Sequence, residues 1–381
     1  MATATLDMHN VVSSVELANI IKTSASAIIA NPSLSHVIPP TLVRGAPGVG
    51  KSTIVRAVAD ELGIGFIDMR LSEMERVDVA GLPSVDKGTT IWNVPSILPQ
   101  NAKSKGILLL DEITAAPADV QVAAYQLVLD RCISNSNYKL PDGWYIVAAG
   151  NRTIDRAVAR PLSSALANRF AHYELEAKAD DWNLWAVAHD IHPSVTGFIK
   201  FRPELLFKMD THQNLEAGWP SPRSWERAAN IIPLFKDNET VLQKAIYGIV
   251  GQNVGIEFLA FYKTASKFDD VLEVMRNSKA KIKIPTRSDE RAAYASAAVY
   301  HVWNGKNDKD QAKLLDGFYR IVLEMDDDFA AMMIKGAAQG NSHVSRLDAI
   351  TAIRKSPRYK DFDKKFGKKL TEKYSLDLNA M

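Results

Sequence analysis

Eight consecutive residues, Gly45-Ala46-Pro47-Gly48-Val49-Gly50-Lys51-Ser52, restrict this chain more than any other stretch. They fill every fixed position of G-x-x-x-x-G-K-[ST], a loop whose backbone N–H groups turn inward onto phosphate. Glycine is required where a Cβ would keep an oxygen away from the backbone. Lys51 then suits the outer phosphates of a nucleoside triphosphate, and the Ser52 hydroxyl suits Mg2+. The flanks agree with that reading. Thr41-Leu42-Val43 predicts a short buried strand, and Ser52 to Leu62 a helix with Ile54, Val55, Val58, Ala59 and Leu62 on one face. Phosphate would therefore meet a helix N-terminus, with Thr53 in its first turn.

A second stretch completes the chemistry. Gly106-Ile107-Leu108-Leu109-Leu110-Asp111-Glu112 predicts a strand covered on both faces, as in a parallel sheet, ending in two carboxylates. Ligands bind beyond the C-terminal ends of such strands. Asp111 is the candidate to hold Mg2+, and Glu112 to orient or deprotonate an attacking water. Trp144 to Ala149 predicts a further strand, followed by Gly150-Asn151-Arg152. This puts the Asn151 side chain on the same edge, where it can bond the γ-phosphate or the water.

The rest of the chain supplies the frame. Residues 1–13 read as a loosely held polar start. Val15 to Ile29 follows as a helix capped by Ser13 or Ser14, then Gly65 to Met69 as a second strand. Residues 71–99 are too long for a plain connection, and Thr89 to Trp92 suggests a hairpin arm turned at Asp86-Lys87-Gly88. Pro117 to Cys132 reads as a helix, residues 135–143 as a turn-rich insert, Pro161 to Phe170 as a short helix and His172 to Leu175 as a fifth strand. Beyond Asp180 the pattern is helical: 181–188, 195–201, 204–209, 224–235, 239–250, 256–263, 291–303 and 309–324. Ser221 and Ser224 are candidate caps, and Trp182, Trp185, Trp219 and Trp225 candidate core residues. His189-Asp190-Ile191-His192 lacks a third metal ligand nearby and reads as a surface loop. Residues 354–373 are basic, with Tyr359, Phe362 and Phe366 interleaved and Asp361, Asp363 and Glu372 diluting the charge. They read either as a contact for nucleic acid or another anionic partner, or as a solvated amphipathic helix.

Totals narrow the class. A chain of 381 residues is long enough for two or three domains. The single cysteine, Cys132, rules out an intrachain disulfide and a Cys-rich zinc site, and fits a reducing, cytoplasmic setting. No signal peptide is recognisable and no apolar run approaches membrane-spanning length.

The order of these features resembles the AAA+ ATPases, and within them the MoxR branch, over residues 15–265. Gly45 to Ser52 is similar to Walker A and Ile107 to Glu112 to Walker B, with Asn151 at the sensor 1 position. Arg169, in Ala-Asn-Arg-Phe, resembles the arginine finger that reaches a neighbouring subunit's γ-phosphate, although Arg152, Arg156 and Arg160 stand close by. Arg223, in Pro-Arg-Ser-Trp, resembles sensor 2. Residues 71–99 and 133–143 match the positions of a helix-2 insert and a pre-sensor 1 insert.

The resemblance implies a P-loop α/β nucleotide-binding domain over 1–178, an all-α lid over 179–266 and a further helical region over 267–381. It implies an ATP- and Mg2+-dependent ring, hexameric, that remodels a protein partner, with a von Willebrand A-type protein as one such partner. Two other readings stay open: a nucleic-acid-stimulated motor, and a nucleotide-gated scaffold with little turnover.

Overall fold

Short apolar runs become strands, and long amphipathic ones helices. The structure, a computed structural model, describes residues 10–133, 136–155, 160–209, 218–268 and 270–374. Its contacts divide it into two units, Met1–Glu176 and Ala177–Met381.

Among the described residues, eight strands lie in the first unit: β1 (Val11–Val12), β2 (Thr41–Arg44), β3 (Gly65–Arg70), β4 (Leu82–Asp86), β5 (Thr89–Asn93), β6 (Gly106–Asp111), β7 (Trp144–Gly150) and β8 (Ala171–Leu175). Six form one parallel sheet in the order β1-β8-β2-β7-β6-β3. Helices α1 (Ser14–Ala30), α2 (Lys51–Leu62), α3 (Arg76–Ala80), α4 (Ala118–Leu129) and α5 (Ser164–Ala167) accompany them. Every residue of β6 and β7 is buried, as expected of central strands covered on both faces. One face packs Leu42, Leu108, Leu110, Ile146 and Ala148 against Val120, Ala124 and Leu127 of α4. Helices α1 and α2 pack against one another and against β7 and β6.

Strands β4 and β5 pair antiparallel as a separate hairpin. Its two-residue turn is Lys87-Gly88, both at positive φ (48° and 81°), the geometry that matches strand twist in a tight hairpin. The hairpin arm expected at Thr89 to Trp92 is therefore present within the 71–99 insert.

Three local expectations differ. Residues 10–13 are not loosely held: Val11 and Val12 pair with Glu174 and Leu175 of β8, covering a sheet edge that would otherwise be open. Ser13 then caps α1 in a reciprocal box with Glu16. The helix expected over 161–170 shortens to α5, capped by Ser163. The helix expected over 204–209 is only a 3-10 turn, Pro203–Leu205, because Lys208 N–H donates to Pro220 O rather than continuing a helical ladder.

The second unit is helical: α6 (Ala179–Ala188), α7 (Pro193–Phe201), α8 (Pro222–Phe235), α9 (Glu239–Val250), α10 (Gln252–Ala265), α11 (Val271–Arg276), α12 (Ser288–His301), α13 (Asp308–Glu324), α14 (Asp327–Ala337), α15 (Arg346–Lys355), α16 (Tyr359–Phe362) and α17 (Lys368–Tyr374). A π-turn, Asp363–Gly367, joins the last two. One core gathers Phe198, Trp225 and Phe258, with ring centroids 5.3–5.4 Å apart. Trp225 Nε1 satisfies itself on Leu205 O at 2.8 Å. A second core centres on Phe318, Tyr319, Ile334 and Ile353. Trp182 is buried with Trp225, whereas Trp185 and Trp219 are partly buried. No helix among the described residues is long and apolar enough to cross a membrane.

His192, in the loop that might have suggested metal, is instead the cap of α7: Ser194 N–H donates to its Nδ1 at 3.3 Å. Burial, and then the nearby His301, pulls its pKa from 6.5 down to about 4. The folded ring is thus neutral, and its contribution is complete above pH 6.5 and lost as pH falls toward 4. We expect this group to cost on the order of 3 kcal/mol across that window. His192→Asn keeps a capping acceptor and should flatten the acid limb of urea unfolding. An unchanged limb in that variant contradicts the assignment.

Candidate functional site

Strands β2, β6 and β7 end side by side, with Arg44 opposite Gly150 and Leu110 opposite Ala148. The loop after each delivers one part of the site. After β2 the chain turns through Gly48 (φ 84°) and Gly50 (φ 96°). Space around a Cβ at Gly50 is open, so the left-handed backbone is what requires glycine there. Gly45 is different: a Cβ would lie 2.9 Å from Leu175 O, so the end of β8 presses on the loop. Among the described residues, the N–H groups of Gly48, Val49, Gly50 and Ser52 have no backbone acceptor. They form the start of α2, where an anion is favoured.

Lys51 Nζ lies 2.8 Å from Gly45 O, 3.1 Å from Ala46 O and 3.0 Å from Asn151 Oδ1. Ser52 Oγ donates to Asp111 Oδ2 at 2.5 Å, and Asp111 Oδ1 accepts the Glu112 N–H at 2.8 Å. Asp111 is only 7% exposed. Glu112 sits at φ 56°, a left-handed conformation that costs a residue with a Cβ and is found where function fixes it. The structure therefore brings Lys51, Ser52, Asp111, Glu112 and Asn151 to one strand edge.

Two residues beyond the sequence reading, Ser72 and Thr114, hold this edge together with Arg152. Ser72, just past β3, donates from its hydroxyl to the Glu112 carboxylate. Thr114 Oγ1 accepts the Asn151 N–H at 3.0 Å and packs so closely on Gly150 that a Cβ there would be 2.6 Å from its methyl. Arg152 pairs with Asp155 and Glu174, each at 2.6 Å. Those bonds, Asp155 first, raise its pKa further. Only the register of β3 on β6, with Arg70 opposite Asp111, reveals Ser72 as a neighbour of Glu112. Asp68, also on β3, has its pKa raised by burial and then by Asp111. Negative charge is thus concentrated where a cation would be held.

These residues fit a nucleoside triphosphate and Mg2+. The open N–H groups and Lys51 suit phosphate oxygens. Ser52 and Asp111 supply hard oxygen ligands in the small number that Mg2+ takes from protein when phosphate and water provide the rest. Among the described residues, no group of three or more His, Cys, Asp or Glu side chains is placed to hold a metal.

The arginines are distributed differently. Arg152 is committed to its carboxylates, and Arg156 lies outside the described residues. Arg160 and Arg169 are exposed. Arg169 precedes β8, whose first residue Ala171 pairs with Thr41 at the start of β2. The loop at Gly45 instead follows the far end of β2. Five strand residues, roughly 13–16 Å, separate Arg169 from that edge. Arg223 is exposed in the first turn of α8, in the second unit, behind the cap Ser221.

Comparison with known proteins gives one family match: residues 40–170 fit the AAA domain of the dynein-related subfamily. Midasin of Giardia intestinalis is 28% identical over 170 residues, 42% of this chain but only 4% of midasin's length. Among solved structures, the Holliday junction branch migration motor RuvB of Thermotoga maritima is similar at 17% identity. It covers 69% of this chain and 78% of that one, with a TM-score of 0.35. NtrX of Brucella abortus covers 58% and 51% at 12% identity, with a TM-score of 0.34. From the match over 40–170 and the loop and strand-end acids within it, that segment is an AAA domain of the AAA+ ATPase family.

Proposed function

We propose that this chain is a ring-forming ATPase that couples ATP hydrolysis to remodelling of a protein partner. The observation that carries the proposal is the split between two edges of one sheet. Lys51, Ser52, Asp111, Glu112 and Asn151 stand at the C-terminal edge, and exposed Arg169 stands at the opposite one. Arginine has no route to its own P-loop from there, but it can present to the P-loop of a second copy.

In this reading the loop N–H groups and Lys51 hold the phosphates, with Lys51 exchanging its carbonyl partners for phosphate oxygens. Mg2+, held by Ser52 and Asp111, would offset phosphate charge when bound. Glu112 accepts the proton of the attacking water, and Asn151 orients that water from beside Lys51. Ser72 holds the Glu112 carboxylate until the water is in place. Arg169 from the neighbour spreads positive charge over the transition state, an effect worth about 10³–10⁵ in rate in other NTPases. Arg223 acts as the nucleotide sensor of a lid over 179–266, and residues 267–381, packed in the same unit, form a partner-facing region. The hairpin β4–β5 stands where a MoxR-like branch would carry its helix-2 insert, and a von Willebrand A-type partner belongs to this reading through that resemblance alone.

Two experiments test this. Glu112→Gln should bind ATP with little change in affinity and hydrolyse it at least about 100-fold more slowly. Normal phosphate release by that variant would exclude Glu112 as the base. Arg169→Ala alone should lose activity, as should Lys51→Ala alone. Mixing the two should recover part of it, because some interfaces then pair an intact Lys51 with an intact Arg169. No recovery in mixed assemblies excludes a finger acting between subunits.

A further inference from the structure

The sheet edge opposite the P-loop holds a cavity of about 260 Å³, smaller than pockets that take cofactors or drug-sized ligands. It lies where β2 and β7 begin and α4 and α5 end. Ser35, His36, Arg131, Asn168 and Arg169 line it, and among the described residues no Asp or Glu does.

Arg131 is the unusual member. It is 6% exposed, and a guanidinium does not shed its charge inside a protein. Nη2 donates to Pro141 O at 2.9 Å and to Trp144 O at 2.7 Å. Nε is buried without an acceptor, and Nη1 has none either among the described residues. Burial lowers its pKa, and the opposing pull of Asp142 and then Tyr138 does not offset this. Asp142 is exposed and pairs with His36 at 3.3 Å, and Asp130, the preceding residue, is exposed too. Two carbonyl dipoles do not neutralise a full charge, and a buried charge without a counter-ion is strongly disfavoured. The backbone nevertheless holds Arg131 there at φ 54°, with the Leu140 N–H donating to its carbonyl at 2.7 Å.

Two more groups in the lining await a partner. Ser35 is 7% exposed, and its Oγ has none. Arg169 is exposed and has no ion pair among the described residues. Water in the cavity would satisfy the hydroxyl but would leave the buried guanidinium uncompensated.

We propose that this cavity binds one inorganic phosphate dianion between Arg131 and Arg169. Two permanent positive charges with no acid in the lining favour a dianion over a carboxylate or chloride. The volume admits phosphate with a few waters and is small for a nucleotide. Ser35 Oγ–H is the additional donor. One consequence rests on the finger role proposed for Arg169: phosphate bound here holds Arg169 back from the neighbouring P-loop, so accumulating product slows the ring.

The test is isothermal titration calorimetry of inorganic phosphate into the full Lys51→Ala chain, at constant ionic strength set with chloride. That background removes the P-loop ammonium as a competing phosphate contact. One phosphate should bind saturably, and acetate at equal concentration should not displace it. Added to that background, Arg131→Gln should abolish binding, and Arg169→Gln should weaken it at least about 10-fold with unchanged far-UV circular dichroism. Arg169→Lys should recover part of the loss. Arg169 is exposed, so its variants decide the matter even where Arg131→Gln does not fold. Three results overturn the proposal: no saturable binding up to about 10 mM phosphate, affinity unchanged in Arg169→Gln, or equal displacement by acetate. The titration involves neither hydrolysis nor assembly, so its failure leaves the ATPase reading standing, and failed recovery in mixed assemblies leaves this site standing.

Discussion

One ammonium group ties the first unit's functional edge together. Lys51 Nζ reaches two carbonyls of its own loop and the Asn151 side chain, so the ends of β2 and β7 converge on it. Beside it, the Ser52–Asp111 bond draws in the end of β6. Three strands that are far apart in sequence therefore present their side chains within hydrogen-bonding distance of one another. The central strands make this possible because they are buried on both faces, leaving their C-terminal ends as the place for polar chemistry. The same bonds occupy Lys51 and Ser52 with protein partners. Phosphate and metal would have to replace those partners, so nucleotide binding and rearrangement of this edge are one event.

Much of that edge was legible in the chain. Gly45 to Ser52 is a local motif, and its strand-loop-helix context is also local. Asp111, Glu112 and Asn151 could be read because each closes an apolar run whose length marks a central strand. Ser72 and Thr114 could not. Ser72 acts across the register of β3 on β6, and Thr114 through the close packing of Gly150, and neither is encoded as spacing. The same limit explains the fold differences. Val11 and Val12 are too short a run to announce a strand, and they pair only because β8 offers an open edge. Residues 204–209 have helical composition, but Pro220 provides a competing acceptor for Lys208. The tail shows the converse. Interleaved aromatic and basic residues allow an anionic-partner contact or an amphipathic helix, and packing turns Phe362 and Phe366 inward as an amphipathic helix requires.

The two edges of the sheet give the proposed mechanism its form. A P-loop that binds phosphate and a carboxylate that activates water can operate within one chain. An arginine at the strands' other end cannot join them there. If Arg169 contributes, hydrolysis depends on assembly, and anything that orders the neighbours sets the rate. A protein partner would be one such influence.

Sedimentation velocity of Glu112→Gln with and without ATP and Mg2+ tests the assembly requirement most directly. ATP should convert the chain into one larger closed species, and Lys51→Ala should abolish the conversion. A Glu112→Gln chain that binds ATP and still sediments as a monomer would contradict a site shared between subunits.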